Sequence, residues 1–267
     1  MNRGVLAVAV GIAACARPAP VRRPTPTPPS ITTLADRPSP PVWTDLAAGV
    51  RVASTIVDGD GTSPEFAWVV LRVDLAQATL GAEPWGRPMR ELPRGLVAAF
   101  NAGFFEPDLA PSGLLAVGND VFGRLDPRAG SGVFVVDGGI ARVAPSTGFV
   151  DAARGLRVQC GPRVVEDGAP GIRRDDGRRF ARSVLCLRDA GRTLDVIFTW
   201  DPSAPMQGPS LFTLAQRLVR PSPVGDAGGC DAALNLDGGP STGFVAMGGR
   251  THAALGPVPW ALTVRAR

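Results

Sequence analysis

The chain has 267 residues, of which 45% are hydrophobic and 19% charged, enough apolar sequence for one or two domains with a sizeable core. Its formal net charge is +4, and all of its 28 basic residues are arginine. No arginine cluster is interleaved with aromatic residues, so the sequence lacks the pattern of a nucleic-acid-binding surface, and we expect no nucleic-acid partner.

Residues 1–15 predict an export signal with a lipidation site. A short cationic start precedes an apolar run at residues 4–14, which is shorter than the roughly 20 residues that a membrane-spanning helix needs. The run ends in Ile12-Ala13-Ala14-Cys15, which resembles the lipobox of bacterial lipoproteins, where the signal is cut before a cysteine that becomes lipidated. The alternative is an ordinary export signal cleaved elsewhere.

The expected location follows from this pattern. We expect an exported protein held in the bacterial envelope by a lipid on Cys15. Ala16 follows the cysteine, and resemblance to lipoprotein sorting patterns favours the outer membrane where a cell has one.

Residues 16–42 predict a tether. The stretch is rich in proline and has no apolar period, so it favours extended polyproline II of about 3.1 Å per residue and no fixed structure. No boundary interrupts residues 43–267, which predict a single domain.

Short runs rich in Val, Ile, Leu and Phe predict strands, and Gly-containing turn signals separate them. Asp137-Gly138 predicts a hairpin within Val133–Val143. The predicted strands are Val50–Val57, Phe66–Asp74, Leu96–Asn101, Val133–Val136, Ile140–Val143, Ser183–Leu187, Leu194–Trp200 and Ala232–Leu236.

One helix has a clear start and stop. Ser210 is a candidate N-cap, apolar residues from Leu211 to Leu218 fall on one face, and Pro221 stops the helix. The elements together predict an α+β fold with a mixed, largely antiparallel sheet and few helices.

The cysteines and the single histidine give no metal site. Cys160, Cys186 and Cys230 follow the predicted signal, and an oxidising compartment allows one disulfide among them, with the pairing left open. Nothing has zinc-ligand spacing, and His252 is the only histidine, so we predict no metal and no cofactor.

Two segments place polar residues at the ends of apolar strands. Residues 98–106 deliver Asn101 into a Gly-containing turn, and residues 233–242 deliver Asp237 into another. Glycine lets backbone N–H groups approach a ligand closely, and consecutive N–H groups can form an anion-binding nest. Either segment by itself is also compatible with ordinary turn chemistry.

In combination, the motifs resemble a known family from about Leu96 to the C-terminus. They are Asn101-Ala102-Gly103-Phe104-Phe105, Pro111-Ser112-Gly113, Gly161-Pro162-Arg163, Ala181-Arg182-Ser183 and Leu236-Asp237-Gly238-Gly239-Pro240-Ser241-Thr242. The chain thereby resembles the phosphodiester glycosidases related to the mannose 6-phosphate uncovering enzyme. Cys160 and Pro240 depart from the residues usual in that family.

The resemblance implies hydrolysis of a sugar-1-phosphodiester in envelope or extracellular glycans, releasing free sugar and a phosphomonoester. Asp237 is then the catalytic carboxylate, as nucleophile or as base toward water, Arg182 clamps the phosphate, and Glu106 is a second carboxylate candidate. The implied substrate contacts are Asn101, Gly238, Gly239, Ser241 and Thr242.

Two other functions remain open on the sequence. A phosphodiesterase that cleaves the P–O bond would leave a sugar phosphate, but such enzymes often use metals and the sequence lacks a His/Asp cluster. A non-catalytic, lipid-anchored glycan-binding module would bind the same ligand without turnover.

Overall fold

A computed structural model of the chain describes residues 41–58, 65–225 and 228–267. The predicted signal, Cys15 and the tether up to residue 40 lie outside the described residues. No helix in the described part is long and apolar enough to cross a bilayer.

Within those ranges the chain forms eighteen strands and one α-helix. In chain order they are β1 (Thr44–Ala47), β2 (Val50–Val57), β3 (Phe66–Asp74), β4 (Ala78–Pro84), β5 (Ala98–Asn101), β6 (Leu115–Val117), β7 (Asp120–Gly123), β8 (Gly132–Asp137), β9 (Ile140–Pro145), β10 (Leu156–Cys160), β11 (Arg163–Glu166), β12 (Ala169–Pro170), β13 (Arg182–Arg188), β14 (Thr193–Trp200), α1 (Leu211–Leu218), β15 (Ala232–Asn235), β16 (Phe244–Ala246), β17 (Arg250–His252) and β18 (Trp260–Ala266).

The strands form three sheets. An eight-stranded sheet has the order β1-β2-β3-β14-β13-β15-β11-β12, and two five-stranded sheets have the orders β7-β6-β10-β8-β9 and β17-β16-β5-β18-β4. Every strand pair in the described ranges is antiparallel.

The predicted fold class is confirmed in part, because the strand pairing is largely antiparallel and helices are few, as expected. The α+β class needs correction, since the domain is largely β, and no mixed sheet occurs among the described residues. The physical reason is the shortness of the apolar runs and the tight turns between them. Such turns connect antiparallel strands directly, whereas parallel strands need a longer crossover.

The main core lies between the large sheet and the two smaller ones. Phe198 of β14 contacts Phe100 of β5 edge-on at 5.9 Å and stacks on Phe244 of β16 at 4.6 Å between ring centroids. All three rings are buried. Burial of each such ring contributes about 1.5–3 kcal/mol, so this cluster fixes β5 and β16 against the large sheet.

Helix α1 covers the opposite face of the large sheet. The predicted N-cap is confirmed, because the Ser210 hydroxyl accepts a hydrogen bond from the Thr213 amide at 3.2 Å. Leu214 and Leu218 pack on the sheet, and the helix ends before Pro221 as predicted. A disulfide between Cys186 and Cys230 joins this face of β13 to the segment before β15, while Cys160 is free and buried.

The strand predictions were accurate where apolar and β-branched residues are dense. The ranges of β2 and β3 coincide with the predicted ones, and the β8–β9 hairpin turns at Gly138 and Gly139, both with positive φ. Strand β10 was missed because it carries the buried polar residues Arg157 and Gln159. Arg157 is satisfied by Asp151 at 2.9 Å and by two backbone carbonyls, partners that a linear sequence does not reveal.

Candidate functional site

The two polar strand ends predicted from the sequence meet in space. Asn101 is the last residue of β5, and Asp237 lies two residues beyond the end of β15. The Asn101 Nδ2 group donates a hydrogen bond to the backbone carbonyl oxygen of Asp237 at 2.8 Å, and the Asp237 amide faces the Ala102 carbonyl at 3.4 Å. One five-stranded sheet and the large sheet therefore contribute to one site.

The amide group of the Asn101 side chain forms its hydrogen bonds within the protein. Its Oδ1 atom accepts hydrogen bonds from the Ser183 hydroxyl at 2.6 Å and from the Gly243 amide at 3.2 Å, and its exposed fraction is 1%. The structure thus places Asn101 behind the site, where it joins β5, β13 and the Asp237 segment. The sequence analysis instead predicted that Asn101 contacts the substrate.

Asp237 lies in a cleft of about 320 Å³ together with Arg182. The Gly238 amide donates to Asp237 Oδ1 at 2.9 Å. Burial raises the pKa of the Asp237 carboxyl, and hydrogen bonds from Ser241 and Gly238 oppose that shift without cancelling it. A carboxylate held at raised pKa in a cleft is the usual state of a group that reacts or binds there.

Arg182 begins β13 and projects toward the same cleft. Only 7% of it is exposed, and its guanidinium donates to the carbonyls of Pro209 at 3.4 Å and Arg178 at 3.2 Å. The guanidinium also lies over the Phe180 ring at 5.4 Å. Burial lowers its pKa to about 10, which leaves it charged at neutral pH.

Arg182 forms no ion pair within the described residues, and both of its hydrogen-bond partners are neutral carbonyls. Asp176 acts on its charge only through space and raises its pKa slightly against the effect of burial. A guanidinium pairs well with phosphate or carboxylate through two parallel hydrogen bonds. The cleft therefore combines a carboxylate with a cation that is available to an anionic ligand.

The glycine-rich turn supports the carboxylate and does not form an open nest. The Gly239 amide donates to the Ala181 carbonyl at 2.8 Å, and the Gly238 amide already serves Asp237. A Cβ atom at Gly238 would lie 2.8 Å from the same carbonyl oxygen, so glycine is required for this close approach. The sequence analysis predicted that both glycines contact the substrate, whereas in the structure the Gly239 amide bonds to the residue before β13 and the Gly238 amide bonds to Asp237.

Ser241 and Thr242 follow in the same turn. Both are buried, and the Ser241 hydroxyl is one of the groups that lower the Asp237 pKa. Thr242 Oγ1 is buried without a hydrogen-bond partner among the described residues. Ser241 therefore contacts Asp237, whereas Thr242 is buried in the same turn.

Glu106 lies outside this cleft. It is exposed and lines a neighbouring cavity of about 400 Å³ with Ser112, Asp126 and Arg128. Phe104 lines both cavities. Of the three predicted catalytic residues, Asp237 and Arg182 are brought together and Glu106 is not.

Asn235 is a cleft residue that the sequence analysis did not select. Its exposed fraction is 3%, and its Nδ2 group donates to the carbonyls of Gly161 at 3.1 Å and Leu236 at 2.7 Å. Its Oδ1 atom finds no donor in the described part of the chain. The sequence contained an indication of this position. Asn235 precedes Asp237 by two residues, and alternate residues of a strand share a face.

Two titratable residues near the site are held neutral. The His252 ring stacks on Trp200 at 3.9 Å, and burial lowers its pKa to about 4. Burial raises the pKa of the Cys160 thiol to about 12, and the charge of Asp237 adds to that shift. Neither residue is charged at neutral pH.

No group of three or more His, Cys, Asp or Glu side chains in residues 41–58, 65–225 and 228–267 is arranged to hold a metal ion.

Comparison with known families gives one match along most of the folded part. The family described as phosphodiester glycosidase matches residues 94–265, which include every predicted catalytic and substrate-binding residue. A comparison with curated proteins found no match.

Two solved structures share the fold. The zebrafish N-acetylglucosamine-1-phosphodiester alpha-N-acetylglucosaminidase catalytic domain, auto-inhibited by its pro-peptide, has a TM-score of 0.60 and 15% identity, covering 82% of this chain and 83% of that one. A hypothetical protein from Synechocystis has a TM-score of 0.56 and 16% identity, covering 87% of this chain. This chain spans 65% of the length of the Synechocystis protein. Identities this low indicate a shared fold and no more.

Proposed function

Because the chain belongs to the phosphodiester glycosidase family, we propose that it hydrolyses the glycosidic bond of a sugar-1-phosphodiester. The products are the free sugar and a phosphomonoester. The zebrafish structure of the same fold carries the name of an N-acetylglucosamine-1-phosphodiester glycosidase, which supports this substrate class.

One observation carries the proposal, namely that Asp237 and Arg182 share a cleft. A phosphodiester carries one negative charge, which matches the buried guanidinium of Arg182, whose hydrogen-bond partners are neutral carbonyls. The carboxylate at raised pKa then faces the sugar, where positive charge develops.

The chemistry requires few groups. The bond from the anomeric carbon to its oxygen breaks, that oxygen leaves on phosphorus, and water supplies the hydroxyl of the released sugar. The departing phosphomonoester is stable as an anion, so little proton donation is needed at the leaving oxygen. In other glycosidases a second carboxylate often donates that proton. Because this leaving group needs little proton donation, Asp237 can serve as the carboxylate of this cleft without a second one.

Asp237 stabilises the oxocarbenium character at the anomeric carbon, either as nucleophile or as base toward water. Arg182 binds the phosphate. Because negative charge accumulates on the phosphate as the bond breaks, this interaction stabilises the transition state more than the bound substrate. Asn101 fixes the backbone from which Asp237 projects.

We propose further that the domain acts on envelope or extracellular glycans, exported and anchored by a lipid on Cys15. The disulfide between Cys186 and Cys230 supports an oxidising compartment, since such bonds persist chiefly outside the cytosol. The lipobox-like sequence before Cys15 supports the anchor.

The test is product analysis with a panel of sugar-1-phosphodiesters that differ in the sugar. Free sugar plus phosphomonoester, lost in Asp237→Asn, is the expected result. A sugar phosphate as product would instead indicate cleavage of the P–O bond. Calorimetric binding without any product in the same sample would favour the glycan-binding module.

A further inference from the structure

Phe180 lines the proposed catalytic cleft and leaves much of its ring open to solvent. Its exposed fraction is 42%. A Cβ atom built on Gly239 would lie 3.6 Å from Phe180 Cδ1, so the ring lies against the turn that follows Asp237. The central carbon of the Arg182 guanidinium lies 5.4 Å from the centre of the ring. Phe180 therefore lies next to the proposed phosphate-binding group and to the turn that holds Asp237.

Arg182 keeps one nitrogen atom for a ligand. Its Nε and Nη2 groups donate to backbone carbonyls, whereas Nη1 has no hydrogen-bond partner in the described part of the chain. Nη1 is also not a buried atom, so it is open to the cleft that Arg182 lines. A phosphodiester bound there carries two organic groups. Since the sugar faces Asp237, the alcohol on the other phosphate oxygen extends along the side of the cleft around Arg182.

The segment beside Arg182 adds further apolar side chains to this side of the cleft. The Met206 carbonyl accepts a hydrogen bond from the Ala181 amide at 2.9 Å, and the Pro209 carbonyl accepts one from Arg182, so the segment runs alongside the start of β13. Leu211 lines the cleft, and Met206 is 48% exposed. Single exposed apolar side chains are ordinary, but several of them around one ligand-binding group indicate a contact surface.

Polar side chains are scarce in the lining of the cleft. Among the described residues they are Arg182, Asn235 and Asp237, and the other lining residues are Phe, Leu, Pro and Gly. The Asn235 amide donates to backbone carbonyls, and its Oδ1 atom is buried. Asp176 and Arg178 pair with each other at 4.0 Å and do not line the cleft. A hydroxyl-rich alcohol therefore finds no further side-chain partner here, whereas an apolar alcohol gains from leaving water.

The following inference rests on the proposed hydrolysis of a sugar-1-phosphodiester. We propose that the alcohol esterified to the phosphate is apolar, as in a sugar phosphate joined to a lipid chain. Phe180, Leu211 and Met206 contact this chain, and Phe180 is the main specificity-determining residue. Cleavage of the bond between the anomeric carbon and its oxygen then releases the free sugar and a phosphomonoester that keeps the apolar chain.

The test is isothermal calorimetry of the full chain with two product-like phosphomonoesters, hexyl phosphate and a hexose 6-phosphate. The two ligands share the phosphate and six carbon atoms and differ in their hydroxyl groups. Hexyl phosphate should bind at least about tenfold more tightly. Arg182→Gln should abolish this binding, which assigns it to the cleft. Equal affinity of hexyl phosphate for Arg182→Gln and the parent would place the ligand elsewhere and overturn the proposal.

Variants of Phe180 test its role directly. Phe180→Ser should reduce the preference for hexyl phosphate several-fold, whereas Phe180→Leu, which stays apolar, should keep most of it. Because Phe180 also contacts Arg182, hexose 6-phosphate is the internal reference, and its affinity should change by less than about twofold. Met206→Ser is a second, exposed position and should reduce the preference less. Phe122→Ser is the matched control, since Phe122 is 38% exposed and does not line the cleft.

Two further results would overturn the proposal: equal affinities of the parent for the two phosphomonoesters, or an unchanged preference in Phe180→Ser. These binding measurements do not need turnover. Failure of the proposed function would show separately, as no hydrolysis of sugar-1-phosphodiesters that carry either alcohol. Where hydrolysis occurs, kcat/KM should be higher for the hexyl diester than for the hexose diester, and the reverse order would contradict an apolar alcohol.

Discussion

Asn101 Nδ2 lies 2.8 Å from the backbone carbonyl oxygen of Asp237, a hydrogen bond between residues 136 positions apart in the chain. The same side chain accepts the Ser183 hydroxyl at 2.6 Å. One buried amide thereby fixes the relative position of three strand ends around the proposed catalytic carboxylate. This arrangement makes Asn101 a positioning residue, whose effect on the reaction passes through Asp237.

The first prediction concerns Asp237. Asp237→Asn keeps the shape but removes the charge that stabilises the anomeric carbon, and we expect hydrolysis to fall by about 10²–10⁴-fold. Glu106→Gln is the matched control, because Glu106 lies in the neighbouring cavity. It should keep activity within a few-fold of the parent. Equal losses in the two variants would show that a second carboxylate takes part.

Arg182 should act on the phosphate and not on the sugar. Arg182→Lys retains a charge but loses the planar fork, so kcat/KM for a phosphodiester should fall by roughly 10- to 100-fold, with a larger fall in Arg182→Gln. An aryl glycoside has no phosphate, so its hydrolysis reports on the sugar-binding part of the cleft and on Asp237 without the Arg182–phosphate contact. A similar fall with that substrate would contradict a phosphate role.

The hydrogen bonds of Asn101 predict an effect on stability as well as on rate. Asn101→Ala leaves the Ser183 hydroxyl and the Gly243 amide without their acceptor, so unfolding in urea should show a loss of about 1–3 kcal/mol. A positioning role predicts a lower kcat with little change in KM. A raised KM at unchanged kcat would instead indicate a direct substrate contact.

Ser183→Ala provides the partner for a double-mutant cycle with Asn101→Ala. The two side chains share a hydrogen bond of 2.6 Å, so the losses of stability should be less than additive, with a coupling of about 0.5–3 kcal/mol. Strict additivity would mean that the two side chains act independently.

The raised pKa of Asp237 predicts a pH dependence. In the unfolded chain the carboxyl ionises near its ordinary value, whereas in the folded chain burial shifts ionisation to higher pH. Ionisation therefore disfavours the folded state above the ordinary value and has no effect well below it. Asp237→Asn should gain stability over the parent at neutral pH but not near pH 3, and thermal unfolding across that range measures the difference.

The disulfide predicts a redox effect on stability. Reduction opens a bond between residues 44 positions apart, so unfolding should become easier by about 2–4 kcal/mol. Cys160, buried with a thiol pKa of about 12, should not react with iodoacetamide in the folded chain and should react once the chain is unfolded. Rapid labelling of Cys160 in the native protein would contradict its burial.

The sequence determined the parts of this protein that depend on short-range patterns. The β2 and β3 ranges follow from short runs of apolar and β-branched residues, the helix start from the Ser210 hydroxyl, and the β8–β9 turn from its glycines. The order of motifs around Asn101 and Asp237 was enough to indicate the family, and the family match includes both residues.

Tertiary structure decided what depends on distance in space. The sequence left open which two of three cysteines pair. The packing of β13 beside the segment before β15 places Cys186 next to Cys230, and these two form the disulfide. Asn101 and Glu106 both lie in the segment of residues 98–106, yet Glu106 lines the neighbouring cavity and Asn101 lies behind Asp237. Spacing along a chain fixes which face of a strand a side chain occupies, but only the packing of the sheets decides what that face meets.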